Sequence, residues 1–192
     1  MIAIINYGSG NIRSVANALQ RLGCVVQVTS DVEIIQSASK IIFPGVGEAS
    51  SAMSFLKNKQ LDKLIPTLKQ PTLGICLGMQ LMCSFSEEGE TDGLNIFKTQ
   101  VKAFPKVGKT IHMGWNNFTD FRGNLYHSIS KMDDVYFVHG YYAEPCDMTT
   151  ASCDYLTSFS ASLQKDNFYG VQFHPEKSGK VGMQILKNFL KI

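Results

Sequence analysis

The sequence predicts an α/β fold: a mostly parallel central sheet flanked by helices, with additional antiparallel strands, formed as one domain over residues 1–192. Three observations predict it. Short apolar runs alternate with helical stripes through roughly the first eighty residues, the pattern of a parallel sheet covered by helices on both faces. Beyond Leu94 the character changes to short alternating or aromatic runs separated by Gly, Asn, Asp and Pro, as in strands of an antiparallel extension. The 192 residues are close to one domain at about 150 residues each, and no linker, internal repeat or low-complexity tract divides them.

Ile2 to Ile5 is a buried-strand run that ends in the turn-rich Asn6-Tyr7-Gly8-Ser9-Gly10-Asn11. Ile12, Val15, Ala16, Leu19 and Leu22 then recur at helical spacing, with Asn11 suited to cap the start and Gly23 suited to the left-handed end position. Val25 to Val28 reads as a second strand. Ile41 to Phe43 reads as a third, stopped by Pro44-Gly45-Val46-Gly47, and Leu61, Leu64, Ile65 and Leu68 form a helical stripe ending before Pro71. Thr72 to Ile75 is the fourth strand. Leu77 to Met82 continues with helix-compatible residues after one intervening position, Cys76, so the turn there must be sharp. Val101 to Phe104, Val135 to Val138 and Phe168 to Phe173 are further strands, and Val181, Ile185, Leu186, Phe189 and Leu190 mark a terminal amphipathic helix.

Composition excludes several classes. The chain is 44% apolar and 18% charged, too apolar for disorder, and its net charge of +2 is too small for a nucleic-acid or anionic-membrane binder. The longest uncharged stretch, Gln70 to Ser86, is interrupted by Pro71, Gly74, Gly78 and Gln80, and no membrane span is expected. The N-terminal residues do not read as a secretory signal, and five cysteines at irregular spacing fit reduced thiols, so the expected compartment is the cytoplasm. Gly8-Ser9-Gly10 starts a dinucleotide-type loop, but Arg13 stands where its third glycine is needed. No metal-ligand spacing appears, and no metal is expected.

Gly74-Ile75-Cys76-Leu77-Gly78 has the form of a nucleophile elbow with cysteine in place of serine, between a predicted strand and a predicted helix. Aligned amides at the helix start favour a Cys76 thiolate. Cys24, Cys83, Cys146 and Cys153 read as structural thiols. A cysteine nucleophile wants an imidazole base. Among His112, His127, His139 and His174, only His174 has a carboxylate close by: in His174-Pro175-Glu176, positions i and i+2 can face one side, so Glu176 can hold one ring nitrogen while the other faces the thiol. His139, in Val138-His139-Gly140, is the rival base. Oxyanion donors are sought in the Leu77 amide and in the Pro44 to Gly47 loop, which otherwise reads as a plain strand-end turn.

These residues resemble the class I (triad) glutamine amidotransferases, the similarity running along essentially the whole chain. Gly74 to Gln80, Pro44 to Gly47 and His174-Pro175-Glu176 carry the class. His112-Met113-Gly114-Trp115-Asn116, Tyr136 to His139 and His174 to Ser178 are similar to the narrower group of glutaminase subunits of imidazole glycerol phosphate synthase. The resemblance implies a flavodoxin-like sheet and a catalytic triad of Cys76, His174 and Glu176 working through a glutamyl thioester. It also implies Gln80 and Glu88 holding L-glutamine, and Gly45, Val46 and Leu77 around the oxyanion. It implies no cofactor, and a heterodimer with a barrel-shaped cyclase subunit. That subunit would use the ammonia to form imidazole glycerol phosphate and an aminoimidazole ribotide (AICAR) in histidine biosynthesis. Trp115, Tyr136 and Lys177 are expected on the partner face, since an exposed tryptophan is a favoured interface anchor. A paralogous subunit supplying ammonia for surface-sugar amidation, a stand-alone cysteine hydrolase and a silent binding scaffold are the alternatives.

Overall fold

The computed structural model describes residues 1–8 and 10–192. Ser9, in the Gly8-Ser9-Gly10 segment, lies outside the described residues. In chain order the elements are β1 (Ile2–Ile5), α1 (Ile12–Arg21), β2 (Val26–Thr29), α2 (Val32–Ser37), β3 (Lys40–Phe43), α3 (Ala49–Asn58), α4 (Leu61–Leu64), β4 (Thr72–Ile75) and α5 (Leu77–Met82). They continue with β5 (Cys83–Ser86), β6 (Thr91–Asp92), β7 (Phe97–Ala103), β8 (His112–Asn116), β9 (Asp120–Phe121), β10 (Val135–His139) and β11 (Tyr141–Ala143). The chain closes with β12 (Thr149–Asp154), β13 (Ser158–Lys165), β14 (Phe168–Val171) and α6 (Gly179–Lys191).

The main sheet has the order β2-β1-β3-β4-β14-β13-β12-β9. Its first five strands are parallel and the last three join antiparallel. Every residue of β1 is buried, as a strand with parallel neighbours on both sides and helices on both faces requires. Its side chains divide between two cores: Ala3 and Ile5 pack with residues of α2, α3, α4 and α5, whereas Ile2 and Ile4 pack with α1 and α6. A four-stranded sheet β11-β7-β5-β6 and the antiparallel ribbon β10-β8 complete the fold. The mostly parallel sheet with helices on both faces and added antiparallel strands is the architecture the sequence predicts.

Individual elements differ. The stripe from Leu61 to Leu68 is a four-residue helix followed by a 3-10 turn, Ile65–Thr67, because Pro66 lacks the amide and the room to continue an α-helix. Asn11 precedes α1 with φ 70°, yet its side chain does not cap the helix. Gly23 does take the left-handed end position, at φ 81°. The helices α2 and α3 and the strands β5, β6, β8, β9, β11, β12 and β13 are additions to the elements that the sequence predicts.

Candidate active site

β4 and β14 are adjacent parallel strands, with Ile75 opposite Val171, so the residues that follow them emerge side by side at one edge of the sheet. Cys76 follows β4 with φ 52° and ψ −110°. A side-chain-bearing residue holds such a conformation only under strain of about 1–3 kcal/mol. The surroundings enforce it: the Cys76 amide donates to the Val171 carbonyl at 2.7 Å, and the Gln80 amide donates to the Cys76 carbonyl at 3.1 Å. Flanking positions must lack side chains, because a Cβ at Gly78 would overlap the Phe43 carbonyl oxygen and one at Gly74 would stand 2.8 Å from the Met79 amide nitrogen.

His174 lies three residues past the end of β14, held by its amide to the Tyr136 carbonyl (2.9 Å) and by Ser178, whose hydroxyl donates to the His174 carbonyl at 2.6 Å. Its Nδ1 meets Glu176 Oε1 at 2.7 Å, with both side chains shut off from solvent. Nε2 has no hydrogen-bond partner of normal geometry, although Cys76 lies near enough to act on the ring. Burial disfavours the imidazolium, but Cys76 and Glu176 together outweigh it and raise His174 to about 9. The Asn11 side-chain amide donates to the same Glu176 Oε1 and lies 3.3 Å from His174 Nδ1. Asn11 thus fixes the carboxylate instead of capping α1.

Cys76 opens on a cavity of about 220 Å³, shared with Val46, Gln80, Glu88 and His139. Cavities for drug-sized ligands span about 300–1,000 Å³, so this one suits a single small metabolite. Glu88 Oε2 accepts the Ala49 amide at 2.9 Å, and burial raises its carboxyl against the opposing effect of that amide, with Glu48 adding to the rise. Gln80 Nε2 donates to the Tyr141 carbonyl and to Gln172 Oε1, each at 2.9 Å. Leu77 and Gly45 also meet, the Leu77 amide donating to the Gly45 carbonyl at 3.3 Å.

His139 has both ring nitrogens engaged. Nδ1 donates to the Tyr141 carbonyl at 2.7 Å, which leaves Nε2 to accept from His112 Nδ1 at 3.1 Å. His112 Nε2 in turn accepts from the Asn116 side-chain amide at 3.3 Å. Burial first of all pushes His139 down to about 3, and burial pushes His112 down to about 4. Both rings are neutral at neutral pH. Burial likewise raises the thiols of Cys83 and Cys153, the latter to about 12, and that of Cys24.

Trp115 and Tyr136 are paired across β8 and β10, their rings 5.8 Å apart and near perpendicular, and Lys177 Nζ sits 5.9 Å from the centre of the Tyr136 ring. Trp115 is 57% exposed and Met113 66%, an apolar face beside the site. Asn11 and Gln172 are site residues that the sequence reading missed, and His112 supports the site only through its bond to His139. Gln172 had a signal, standing two residues before His174 in one extended run.

Among the described residues no group of three or more His, Cys, Asp or Glu side chains could hold a metal ion, and no helix is long and apolar enough to cross a membrane. The family model "Glutamine amidotransferase class-I" matches residues 3–192. A Bacteroides thetaiotaomicron protein described as imidazole glycerol phosphate synthase subunit HisH is 54% identical, covering 100% of this chain and 99% of that one. A Haemophilus influenzae protein of the same description is 46% identical over 99% and 96%. Among solved structures, one titled glutamine amidotransferase superposes with a TM-score of 0.78 at 14% identity, covering 100% of this chain and 98% of that one. A glutamine amidotransferase from Thermotoga maritima gives a TM-score of 0.64 at 16% identity, over 99% and 82%. The latter two likenesses concern the fold. With the match spanning nearly every residue and the relatives aligned end to end, this chain belongs to the class-I glutamine amidotransferase family, alongside the HisH subunits of imidazole glycerol phosphate synthase.

Proposed function

We propose that this chain is the glutaminase subunit of an imidazole glycerol phosphate synthase, releasing ammonia from L-glutamine through a Cys76 thioester and passing it to a cyclase subunit in histidine biosynthesis. The observation that carries the reading is the convergence of Cys76 with the buried His174–Glu176 pair beside a cavity of single-metabolite size. In the chemistry this supports, the thiolate attacks the side-chain amide carbon of glutamine and the imidazolium of His174 gives its proton to the departing nitrogen. Ammonia leaves and a glutamyl thioester remains. The now neutral ring takes a proton from water as the water oxygen attacks the thioester, and collapse expels glutamate and restores the thiolate–imidazolium pair. Glu176, fixed by Asn11, keeps the ring oriented and stabilises its charged form.

Gln80 and Glu88 are the residues we assign to the glutamine backbone and side chain, since both share the cavity with Cys76. Val46 and Leu77 are assigned to the oxyanion, with Gly45 as the pivot. The apolar patch of Met113 and Trp115, with Tyr136 and Lys177, is assigned to the cyclase. Five free cysteines fit a reducing cytoplasm. The test is Cys76→Ala: in the reconstituted pair it should abolish glutamine-dependent synthesis and leave ammonia-dependent synthesis intact. Loss of both would mean that Cys76 serves the structure.

A further inference from the structure

We propose that Gln172 is a thiolate-stabilising residue, its side-chain amide donating to Cys76 Sγ and held in that orientation by a chain of hydrogen bonds anchored on the Tyr141 carbonyl. The proposal rests on the reading of Cys76 as nucleophile. Gln172 follows β14 as Cys76 follows β4, and because Val171 stands opposite Ile75, the two residues are next in register across the parallel pair. Gln172 is wholly buried, and its Nε2 lies 3.6 Å from Cys76 Sγ, within range for a donor to sulfur.

An amide side chain can present either end, so what matters is which end faces the sulfur. The polarity here is settled by a fixed group. The Tyr141 carbonyl can only accept, so Gln80 must turn its NH₂ toward it at 2.9 Å. The same NH₂ reaches Gln172 at 2.9 Å, so Gln172 must offer its oxygen there and is left with its own NH₂ toward the thiol. The anchor is itself secured, because the Tyr141 carbonyl also accepts from His139 Nδ1 at 2.7 Å. Each link is buried or half-buried, so water competes poorly for it.

The consequence is chemical. A neutral donor aimed at sulfur favours the thiolate over the thiol and adds nothing to the substrate cavity, whose lining includes Cys76, Gln80 and Glu88 but not Gln172. The other titratable groups facing the thiol or its cavity are His174, His139, Glu88 and Tyr141, and a change at Gln172 leaves all four in place.

The experiment is alkylation of Cys76 by iodoacetamide, located by mass spectrometry and followed as a function of pH in the purified chain. Gln172→Met keeps the length and removes the donor. Gln172→Glu keeps the acceptor for Gln80 and sets a carboxyl oxygen against the sulfur. We expect each to slow alkylation near neutral pH by about tenfold, the low end for a hydrogen bond to a charged group, with the pH profile displaced upward. A folded variant of either kind whose rate and profile superimpose on the parent's overturns the proposal. The nucleophile reading fails differently, through an unlabelled Cys76 in the parent or glutaminase activity surviving Cys76→Ala.

Discussion

The Leu77 amide donates to the Gly45 carbonyl at 3.3 Å, so the backbone donor next to the nucleophile is turned to an acceptor within the chain instead of toward substrate. The Gly45 oxygen and the Val46 amide belong to one peptide. Rotating that peptide withdraws the acceptor from Leu77 and brings a second N–H toward the same spot. Loss of one oxyanion donor costs about 100- to 1,000-fold in rate. The isolated chain should therefore hydrolyse glutamine slowly, and addition of the proposed cyclase subunit should raise the rate by at least that factor. Equal rates with and without the partner would refute this.

Asn11 ties the start of the chain to Glu176, and through it to His174. Removing a hydrogen bond to a buried carboxylate costs about 1.5–3 kcal/mol, and here part of that loss falls on the orientation of the ring. Asn11→Ala should lower kcat about tenfold or more with little change in KM, since Asn11 does not line the cavity beside Cys76. A changed KM at unchanged kcat would mean that Asn11 contacts substrate.

How much of this was legible depended on the range of the interaction. The elbow is written in five consecutive residues, and His174 and Glu176 are two apart, so periodicity and spacing reach them. The Asn11–Glu176 contact spans 165 positions and competes with a good local reading of Asn11 as a helix cap. β12 and β13 escaped for another reason: TTASCD buries only Ala151 and Cys153, and SFSASLQK buries Ser160 and Ser162 among its apolar residues, where a strand signal needs large apolar ones. Ser160 and Ser162 are tolerated inside because their hydroxyls meet Thr149, Thr150, Tyr126 and the Glu144 carbonyl. α3 was hidden differently: its buried stripe of Ala49, Ala52, Met53 and Leu56 is half alanine, and the serines between them lie on the outer side.

Three histidines should shape the stability of the fold in opposite directions. His112 and His139 are neutral in the folded chain, at about 4 and about 3, and titrate near 6.5 when unfolded. As pH falls below about 6.5 the unfolded chain takes up protons that the folded one refuses, so stability declines toward pH 3–4. His174, raised to about 9, works the other way: its contribution is complete below about 6.5 and is lost as pH rises through its folded value. Thermal midpoints across pH should peak between these limits. His139→Gln should flatten the acid limb and His174→Gln the alkaline one, and an acid limb unaltered by His139→Gln would contradict the assignment.

Trp115 tests the proposed partner face without touching the chemistry. It is exposed, its ring rests on Tyr136, and the neighbouring Met113 is more exposed still, so an apolar patch lies open beside the Cys76 cavity. On the inward face of the same ribbon His112 bonds His139, and His139 lines the cavity, so docking on Trp115 loads strands that also support its wall. A central aromatic anchor contributes at least about 2 kcal/mol to an interface, equivalent to roughly 30-fold in affinity. Trp115→Ala should weaken cyclase binding by that factor while leaving the thermal midpoint of the isolated chain nearly unchanged, because little buried area is lost. The same variant should raise the partner concentration needed for half-maximal glutaminase activation in parallel with the dissociation constant. Unaltered affinity would place the cyclase elsewhere on the surface, and unaltered affinity with weakened activation would make Trp115 a relay of the signal instead of an anchor.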